Sequence, residues 1–368
     1  MLCSHTSLAT PMIAAQPASL PASPLCAPRL LLAPMEGMVD EVMRRVLTDA
    51  TAYDWCVTEF VRVSGSLLPI RFFTRIAPEL LAASRTAAGT PVRVQLLGSE
   101  PACMAENADR LAELLPAGID LNFGCPAPTV NRHRGGAVLL DEPELLCDIA
   151  TQVSRAIAGR VPFTAKMRLG VQDKSRALEA AQALADGGAQ MIVVHARTKE
   201  EGYRPPAHWP WIARIAEAVK IPVVANGEVW TVEDYLRCRA ESGLRDVMLG
   251  RGAVADPFLA GRIRGHLRGE ELSSMAEDWH ALRPFIHDFW QRVQKKVEPR
   301  HAPGRLKQWL NLLRRNYVQA ELLYQAIRPL RECDDIQVVL QASIGDVGAM
   351  GVPDATDTVG DVRELAHH

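Results

Sequence analysis

Short apolar runs rich in β-forming residues recur along this chain, and longer segments with a helical pattern separate them. Eight such runs are present: Leu30–Ala33, Trp55–Phe60, Val92–Leu97, Ile119–Phe123, Phe163–Met167, Met191–His195, Pro222–Ala225 and Val247–Leu249. Their hydrophobicity is continuous rather than alternating, which is typical of parallel strands buried on both faces.

The segments between the runs carry apolar residues at three- and four-residue spacing, which predicts helices. The clearest are Ala102–Leu115, Pro143–Ile157, Lys174–Gly187 and Val232–Ser242. Eight strand–helix units in succession predict an α/β protein with a (β/α)8 TIM barrel. An open doubly wound sheet is the alternative. It usually has a glycine-rich turn after its first strand, and the segment Ala33–Gly37 does not match that pattern.

The pattern changes after Gly269, where no strand candidate appears before the tail. We expect helices at Trp279–Val297, Arg305–Tyr317 and Glu321–Leu330. These features divide the chain into a flexible N-terminal extension (1–28), a barrel (29–268), a small all-helical domain (269–345) and a flexible tail (346–368). The extension is rich in Pro, Ala and Ser and lacks the basic start of a secretory signal, so a cleaved leader is the less favoured alternative.

Composition narrows the class of protein. In 368 residues, of which 48% are hydrophobic, no apolar run approaches the roughly 20 residues that would cross a bilayer. The eight cysteines form no C-x-x-C pair and no Cys/His cluster with zinc spacing, so we expect no metal and reduced thiols in the cytoplasm.

Charge is spread unevenly along the chain. The formal net charge is −2, but the segment from His280 to Arg331 has eleven Arg or Lys against three Asp or Glu, a local +8. A basic segment on an acidic body suggests a polyanionic partner. An ordinary solvated helix face is an equally good explanation from composition alone.

Polar residues follow nearly every predicted strand, at the end where barrel enzymes have their active sites. The glycine-containing motifs Asn226-Gly227 and Gly250-Arg251-Gly252, after strands seven and eight, favour phosphate binding over a pair of tight turns. Lys166 and Gln95 could serve a flavin, as a cation at its N1–C2=O edge and as a hydrogen-bonding partner of the ring, although these residues alone do not demand one.

Several motifs taken together resemble the tRNA-dihydrouridine synthases. They are DLNFGCPAPTVN at Asp120–Asn131, APMEGM, TEF, VQLLG, KMRLG, VHARTKEEGY, ANGE and GRGA, in matching order and spacing from about Leu30 to about Leu330. PMEGM followed by TEFVRV, and RLKQWLNLLRR at Arg305–Arg315, are most similar to the C subfamily, which acts on uridine 16 of the D-loop.

The resemblance implies a flavin-dependent oxidoreductase with tightly bound FMN, NADPH as reductant and tRNA as substrate. Hydride would pass from flavin N5 to C6 of the uracil, and Cys125 would give the proton to C5. A thiol of pKa about 8.5 is mostly protonated at neutral pH and can donate. The residues expected to line the FMN site are Pro34, Met35, Glu36, Gln95, Lys166, His195, Asn226, Gly227, Glu228, Gly250 and Arg251.

The same resemblance places Asn122 against the uracil and Arg62, Tyr203, Arg305, Lys307 and Arg328 against tRNA. Two departures concern the cysteine loop: Pro128 stands where many relatives have Lys, and Arg132-His133-Arg134 fills a stretch that is more often small or glycine-rich. We expect Arg132 and Arg134 to replace the missing charge.

Two rival functions stay open at this point. An FMN barrel could reduce a free pyrimidine or another small enone, which would leave the basic helical domain without a task. Alternatively, the chain could be a non-catalytic tRNA-binding protein. The presence of Cys125, Lys166 and His195 disfavours this alternative. No obvious dimer surface is visible in the sequence, so we expect a monomer.

Overall fold

The computed structural model describes residues 27–132 and 134–345. The predicted extension, apart from its last two residues, the predicted tail and His133 lie outside this range. Eight parallel strands form a closed barrel in chain order: β1 (Leu30–Leu32), β2 (Trp55–Arg62), β3 (Val92–Leu97), β4 (Ile119–Phe123), β5 (Phe163–Arg168), β6 (Ile192–His195), β7 (Val223–Asn226) and β8 (Val247–Leu249). Each pairs with its neighbours, and Leu32 of β1 lies opposite Leu249 of β8. This closure confirms the predicted TIM barrel and excludes the open sheet.

Helices surround the barrel and then continue as a separate group. Those of the barrel part are α1 (Glu41–Ala50), α2 (Ile70–Ile76), α3 (Pro101–Ala112), α4 (Pro128–Asn131), α5 (Pro143–Ile157), α6 (Ala177–Asp186), α7 (Trp209–Ala218), α8 (Val232–Ser242), α9 (Arg251–Ala255) and α10 (Leu259–Leu267). The helical part has α11 (Met275–Lys296), α12 (Ala302–Leu313), α13 (Val318–Ile327) and α14 (Cys333–Gly345). Two 3₁₀ turns lie at Pro78–Ala82 and Gly136–Asp141.

The predicted helices of the C-terminal part are present but begin earlier than the apolar pattern suggested. Helix α11 starts at Met275 because Ser274 and Glu277 form a capping box. Helix α12 starts at Ala302 because Pro303 lies in its first turn, where the missing proline N–H has no intrahelical partner to lose. No separate helix was predicted for α14.

The interior of the barrel is divided into an apolar and a polar side. Leu31, Ala33, Val57, Met191, Val193, Val224 and Met248 form one buried apolar cluster, while the alternate residues of the strands pack outwards against the helices. The same alternation turns Gln95, Asp120, Asn122, Thr164 and Lys166 of β3, β4 and β5 into the barrel. Branched apolar residues usually fill this space, so the polar side indicates function rather than packing.

The helical part packs directly against the barrel and shares its core. Trp309 Nε1 donates to Val254 O (3.1 Å), Asn316 Nδ2 to Ala255 O (2.9 Å) and Tyr317 Oη to Asp256 Oδ1 (3.1 Å). Helix α9 is therefore held between the end of β8 and the helical part.

Candidate active site

A cavity of about 490 Å³ opens at the carboxyl ends of the strands, within the range of small-molecule and cofactor sites. It brings together all of the predicted cofactor residues with the predicted proton donor, the predicted uracil ligand and one predicted tRNA ligand: Pro34, Met35, Glu36, Gln95, Lys166, His195, Asn226, Gly227, Glu228, Gly250, Arg251, Cys125, Asn122 and Tyr203. The polar groups that follow separate strands in the sequence thus converge on one space.

The cysteine loop after β4 is held by its neighbours on both sides. Asn122 Oδ1 accepts from the backbone N–H of Gly124 and of Cys125, both at 2.9 Å. Gly136 has φ +70°, and a Cβ there would lie 2.8 Å from Cys125 O, so only glycine fits. Arg168 Nε donates to Gly124 O at 2.8 Å. The loop therefore presents the thiol in one defined position.

The thiol of Cys125 stays protonated at neutral pH. The side chain is half-buried on the wall of the cavity, and this burial raises its pKa above the ordinary value of a cysteine. A protonated thiol is a proton donor rather than a nucleophile.

Positive charge dominates one part of the cavity. His195 is buried among Arg168, Lys166, Arg197 and Arg251, and burial followed by these four charges holds its pKa well below the usual range. The imidazole is therefore neutral. Lys166 has its pKa lowered to about 8, by burial first and by Arg168 second, while Asp120 opposes the change.

The arginine and lysine side chains of the cavity differ in whether they already have hydrogen-bond or ion-pair partners within the protein. Arg168 donates to Thr198 O (2.9 Å) and Gly202 O (2.8 Å), and Arg197 pairs with Glu228. The side chains of Lys166 and Arg251 form neither a hydrogen bond nor an ion pair with the described residues. Arg251 only stacks, with its Cζ 4.5 Å from the Tyr203 ring centroid and 5.1 Å from that of Trp230.

These two side chains are the test of whether a flavin mononucleotide would fit. Each is a cation that faces the cavity and forms no ion pair among the described residues, although Asp120 and Glu228 act on them at longer range. Next to Arg251, a Cβ built on Gly250 would meet nothing within 4 Å, so this corner is open. A phosphate at Arg251 and the electron-rich edge of a ring at Lys166 match this distribution of charge. The residues present therefore fit the group.

Carboxylates lie on the wall contributed by the first two strands. Burial and then the charge of Glu59 raise the pKa of Glu36 to about 7, and Glu59 itself accepts from Gly37 N at 2.5 Å. Lining residues outside the predicted set include Glu59, Arg168, Arg197 and Trp230. The first three lie in or just after the C-terminal halves of β2, β5 and β6 and could have been included by position, whereas Trp230 enters from a loop with no distinguishing motif.

The predicted tRNA residues fall into two groups. Arg62, Arg328 and Tyr203 are exposed, the last to 54%, and Tyr203 also lines the cavity. Arg305 and Lys307 bind within the protein instead. Arg305 donates to Gly37 O (3.0 Å) and pairs with Asp40 (3.0 Å), and Lys307 Nζ donates to Leu330 O (2.5 Å).

The two arginines of the cysteine loop also differ. Both are exposed, but Arg134 pairs with Glu142 at 2.6 Å, whereas no ion pair of Arg132 is found among the described residues. The proposed replacement for the missing lysine therefore falls mainly on Arg132. Among the residues from 27 to 345 that the structure describes, no three His, Cys, Asp or Glu side chains are grouped to hold a metal ion. No helix in this part is long and apolar enough to span a membrane.

Fold and site together define a (β/α)8-barrel enzyme with a cationic cofactor cavity beside a protonated thiol. The family model described as dihydrouridine synthase matches residues 31–342. The chain belongs to this family, which confirms the resemblance of its motifs and makes it a flavin-dependent oxidoreductase.

Curated relatives cover most of the chain. The tRNA-dihydrouridine(16) synthase of Aquipseudomonas alcaligenes is 55% identical over 315 residues, 86% of this chain and 99% of that protein. The protein of the same name from Ralstonia nicotianae is 53% identical over 325 residues, covering 88% and 99%. That from Neisseria meningitidis serogroup B is 44% identical over 313 residues, covering 85% and 93%.

Proposed function

We propose that this protein is a tRNA-dihydrouridine(16) synthase that uses FMN, reduced by NADPH, to saturate the C5=C6 bond of uridine 16 in the D-loop. The observation that carries the proposal is the juxtaposition in one cavity of the Cys125 thiol with Lys166 and Arg251, two cations that form no ion pair among the described residues. Relatives that are 53–55% identical over 86–88% of the chain carry this name.

The cofactor would be held by the cationic part of the cavity. Arg251 would bind the phosphate, together with backbone groups around Gly227 and Gly250, and Lys166 would lie at the N1–C2=O edge of the ring. Reduced FMN supplies the hydride that C6 of the uracil accepts. The charge of Lys166 stabilises negative charge on the ring, and the neutral His195 avoids a fifth positive charge in the same space.

Cys125 completes the reaction as the acid. Charge develops at C5 and O4 of the uracil when C6 is reduced, and the thiol proton is transferred to C5 with formation of a C–H bond and a thiolate. Burial keeps the thiol protonated until then. Asn122 fixes the loop through the Cys125 N–H, so the sulfur does not have to be positioned anew at each turnover.

The substrate would bind across the mouth of the barrel and the helical part. The target base must leave its stack to reach the cavity. Exposed Arg62, Arg132 and Arg328 are placed to contact phosphates, and Tyr203 can stack on a base at the rim. All these groups come from one chain, so a monomer suffices, and a tRNA substrate places the enzyme in the cytoplasm.

The decisive variant is Cys125→Ala. We expect it to retain FMN and to be reduced by NADPH, while turnover on tRNA lacking dihydrouridine falls by about 10²- to 10⁴-fold, the range for loss of a general acid. Cys147→Ala is the matched control, because Cys147 is a half-buried thiol on α5 outside the cavity.

Three results would contradict the proposal. Normal turnover by Cys125→Ala would remove this residue from the acid role. Equal activity of the native protein on free uracil and on tRNA would favour a small-molecule reductase, and failure to take up FMN would favour a non-catalytic RNA-binding protein. Position 16 is tested by mapping dihydrouridine in tRNA from cells that lack the protein.

A further inference from the structure

Asp120 lies on β4 two residues before Asn122, inside the barrel and behind the wall of the cavity. Its side chain is fully buried, and it does not contact the cavity itself. Oδ1 accepts from Thr164 Oγ1 at 2.6 Å, and Oδ2 accepts from Gln95 Nε2 at 2.7 Å. Both carboxylate oxygens are therefore bound by neighbouring strands.

The bond to Gln95 decides the orientation of that amide. The oxygen and nitrogen of a side-chain amide have nearly the same shape, so packing alone does not choose between its two orientations. Both Asp120 oxygens act as acceptors in this network, and Oδ2 therefore takes the Gln95 nitrogen rather than its oxygen. Gln95 Oε1 is then turned to Asn122, whose Nδ2 donates to it at 2.7 Å.

The orientation of Asn122 follows in turn. Because its nitrogen is directed to Gln95, its Oδ1 faces the cysteine loop and accepts from the N–H of Gly124 and Cys125. A reversed Asn122 would place its own N–H groups against two backbone donors. Repulsion between donors and loss of two hydrogen bonds would then free the loop.

Asp120 forms no ion pair with a cation among the described residues, although Arg93 and Lys166 are near enough to lower its pKa. Arg93 Nε and Nη1 have no hydrogen-bond partner, and the guanidinium instead stacks on Trp55, 4.1 Å from the ring centroid. Burial is the largest influence on Asp120 and raises its pKa, whereas the bonds from Gln95 and Thr164 lower it because they stabilise the accepting carboxylate. The directed bond to Gln95 is what the carboxylate provides to the cysteine loop.

We propose that Asp120 is the positioning residue of the proton donor, acting through Gln95 and Asn122 on the loop that carries Cys125. The inference rests on the proposed function, in which Cys125 protonates the uracil. Asp120 does not touch substrate or cofactor. It sets the direction of a chain of hydrogen bonds that runs from β4 through Gln95 on β3 to Asn122 and the catalytic loop.

The test compares Asp120→Ala with two milder variants in the holoenzyme. Asp120→Ala removes the acceptor, and we expect reoxidation of the reduced flavin by tRNA to slow about 10- to 100-fold, as for a misplaced catalytic group. NADPH reduction should change little when it is measured at mildly acid pH, where Lys166 keeps its charge without Asp120. Asp120→Asn keeps an oxygen for Gln95 if the Thr164 hydroxyl rotates to accept, so it should restore most of the rate. Thr164→Val is the matched control: it removes the other bond to the same carboxylate and should behave like the native enzyme.

A second readout does not depend on turnover. We expect the alkylation rate of Cys125, followed by mass spectrometry of its peptide, to change several-fold in Asp120→Ala and to stay unchanged in Thr164→Val. If Asp120→Ala does not fold, Asp120→Ser replaces it, since the shorter hydroxyl falls short of Gln95.

Two outcomes overturn the inference. Unchanged alkylation and reoxidation in Asp120→Ala would show that the loop does not depend on Asp120. Equal damage in Asp120→Asn and Asp120→Ala would show that charge, not the direction of the hydrogen bonds, is what matters. A native enzyme that does not reduce uridine in tRNA would contradict the proposed function instead, so the two failures are distinguishable.

Discussion

Among single residues, burial sets the protonation state of the groups that line the cavity. It raises the pKa of Cys125 and lowers that of Lys166 to about 8. The thiol therefore keeps its proton well above neutral pH, whereas the ammonium group loses its proton just above neutral pH. If flavin reduction slows in mildly alkaline solution, we therefore assign the change to deprotonation of Lys166 and not of Cys125.

We expect the rate of flavin reduction by NADPH to fall as the pH rises through about 8, because Lys166 is charged below this pKa and neutral above it. Lys166→Met should give a lower rate that is nearly independent of pH in this range. Stopped-flow absorbance of the flavin measures it. Cys125→Ala is the control and should keep the alkaline decline. The opposite pattern in the two variants would reverse the assignment.

On the scale of elements, α9 links the cofactor corner to the helical part. Its first residue is Arg251, and the residues around its end bind Trp309, Asn316 and Tyr317 of the helical part. Gly252 lets the loop after β7 approach this helix, because a Cβ there would lie 2.1 Å from Val229 O. The two loops of the cofactor corner therefore depend on one close backbone contact.

Gly252→Ala is expected to lower the free energy of unfolding by about 1–3 kcal/mol, the usual cost of overpacking, and to weaken FMN retention. Gly304→Ala is the matched control on α12, where an added Cβ meets nothing within 4 Å. It should stabilise by about 0.5–1 kcal/mol through helix propensity. Thermal unfolding with and without FMN measures both. Equal stability of the two variants would show that the Val229 contact relaxes without cost.

At the scale of the whole molecule, the basic segment from His280 to Arg331 has two roles: it holds the helical part to the barrel, and it exposes charges to an external partner. Arg305 and Lys296 bind the segment from Gly37 to Glu41, which continues from the cavity residues Met35 and Glu36. These charges fasten the helical part to the barrel. Other cations of the segment, such as Arg328, are exposed and available to an external polyanion.

Arg305→Met should lower the melting temperature and alter the flavin spectrum even without tRNA, because the segment beside the cavity loses its anchor. Arg328→Met should leave both unchanged, raise the KM for tRNA and reduce the slope of log K against log salt by about 0.7–0.9, as for loss of one phosphate contact. Titrations at several salt concentrations separate the two. If Arg305→Met left the flavin spectrum unchanged and reduced the slope of log K against log salt, Arg305 would be a tRNA-binding residue, as expected from the sequence.

The architecture and half of the residues that line the cavity could be predicted without coordinates. Hydrophobic periodicity is a local property, so the continuous runs marked all eight strands to within two residues at either end. Residues that follow parallel strands must meet at one end of a barrel, and for this reason Gln95, Lys166 and Asn226 could be assigned to one site without coordinates.

Which polar groups have hydrogen-bond or ionic partners inside the protein depends on how the folded chain brings distant residues together. Arg305 bonds to a carbonyl 268 residues away, and Asp120 bonds to Gln95 and Thr164 on two other strands. Hydrogen bonds and ion pairs act over a few ångströms in space, and closure of the barrel sets which distant residues come that close. Trp230 entered the cavity for the same reason: its loop is placed there by packing against α9, which no local pattern encodes.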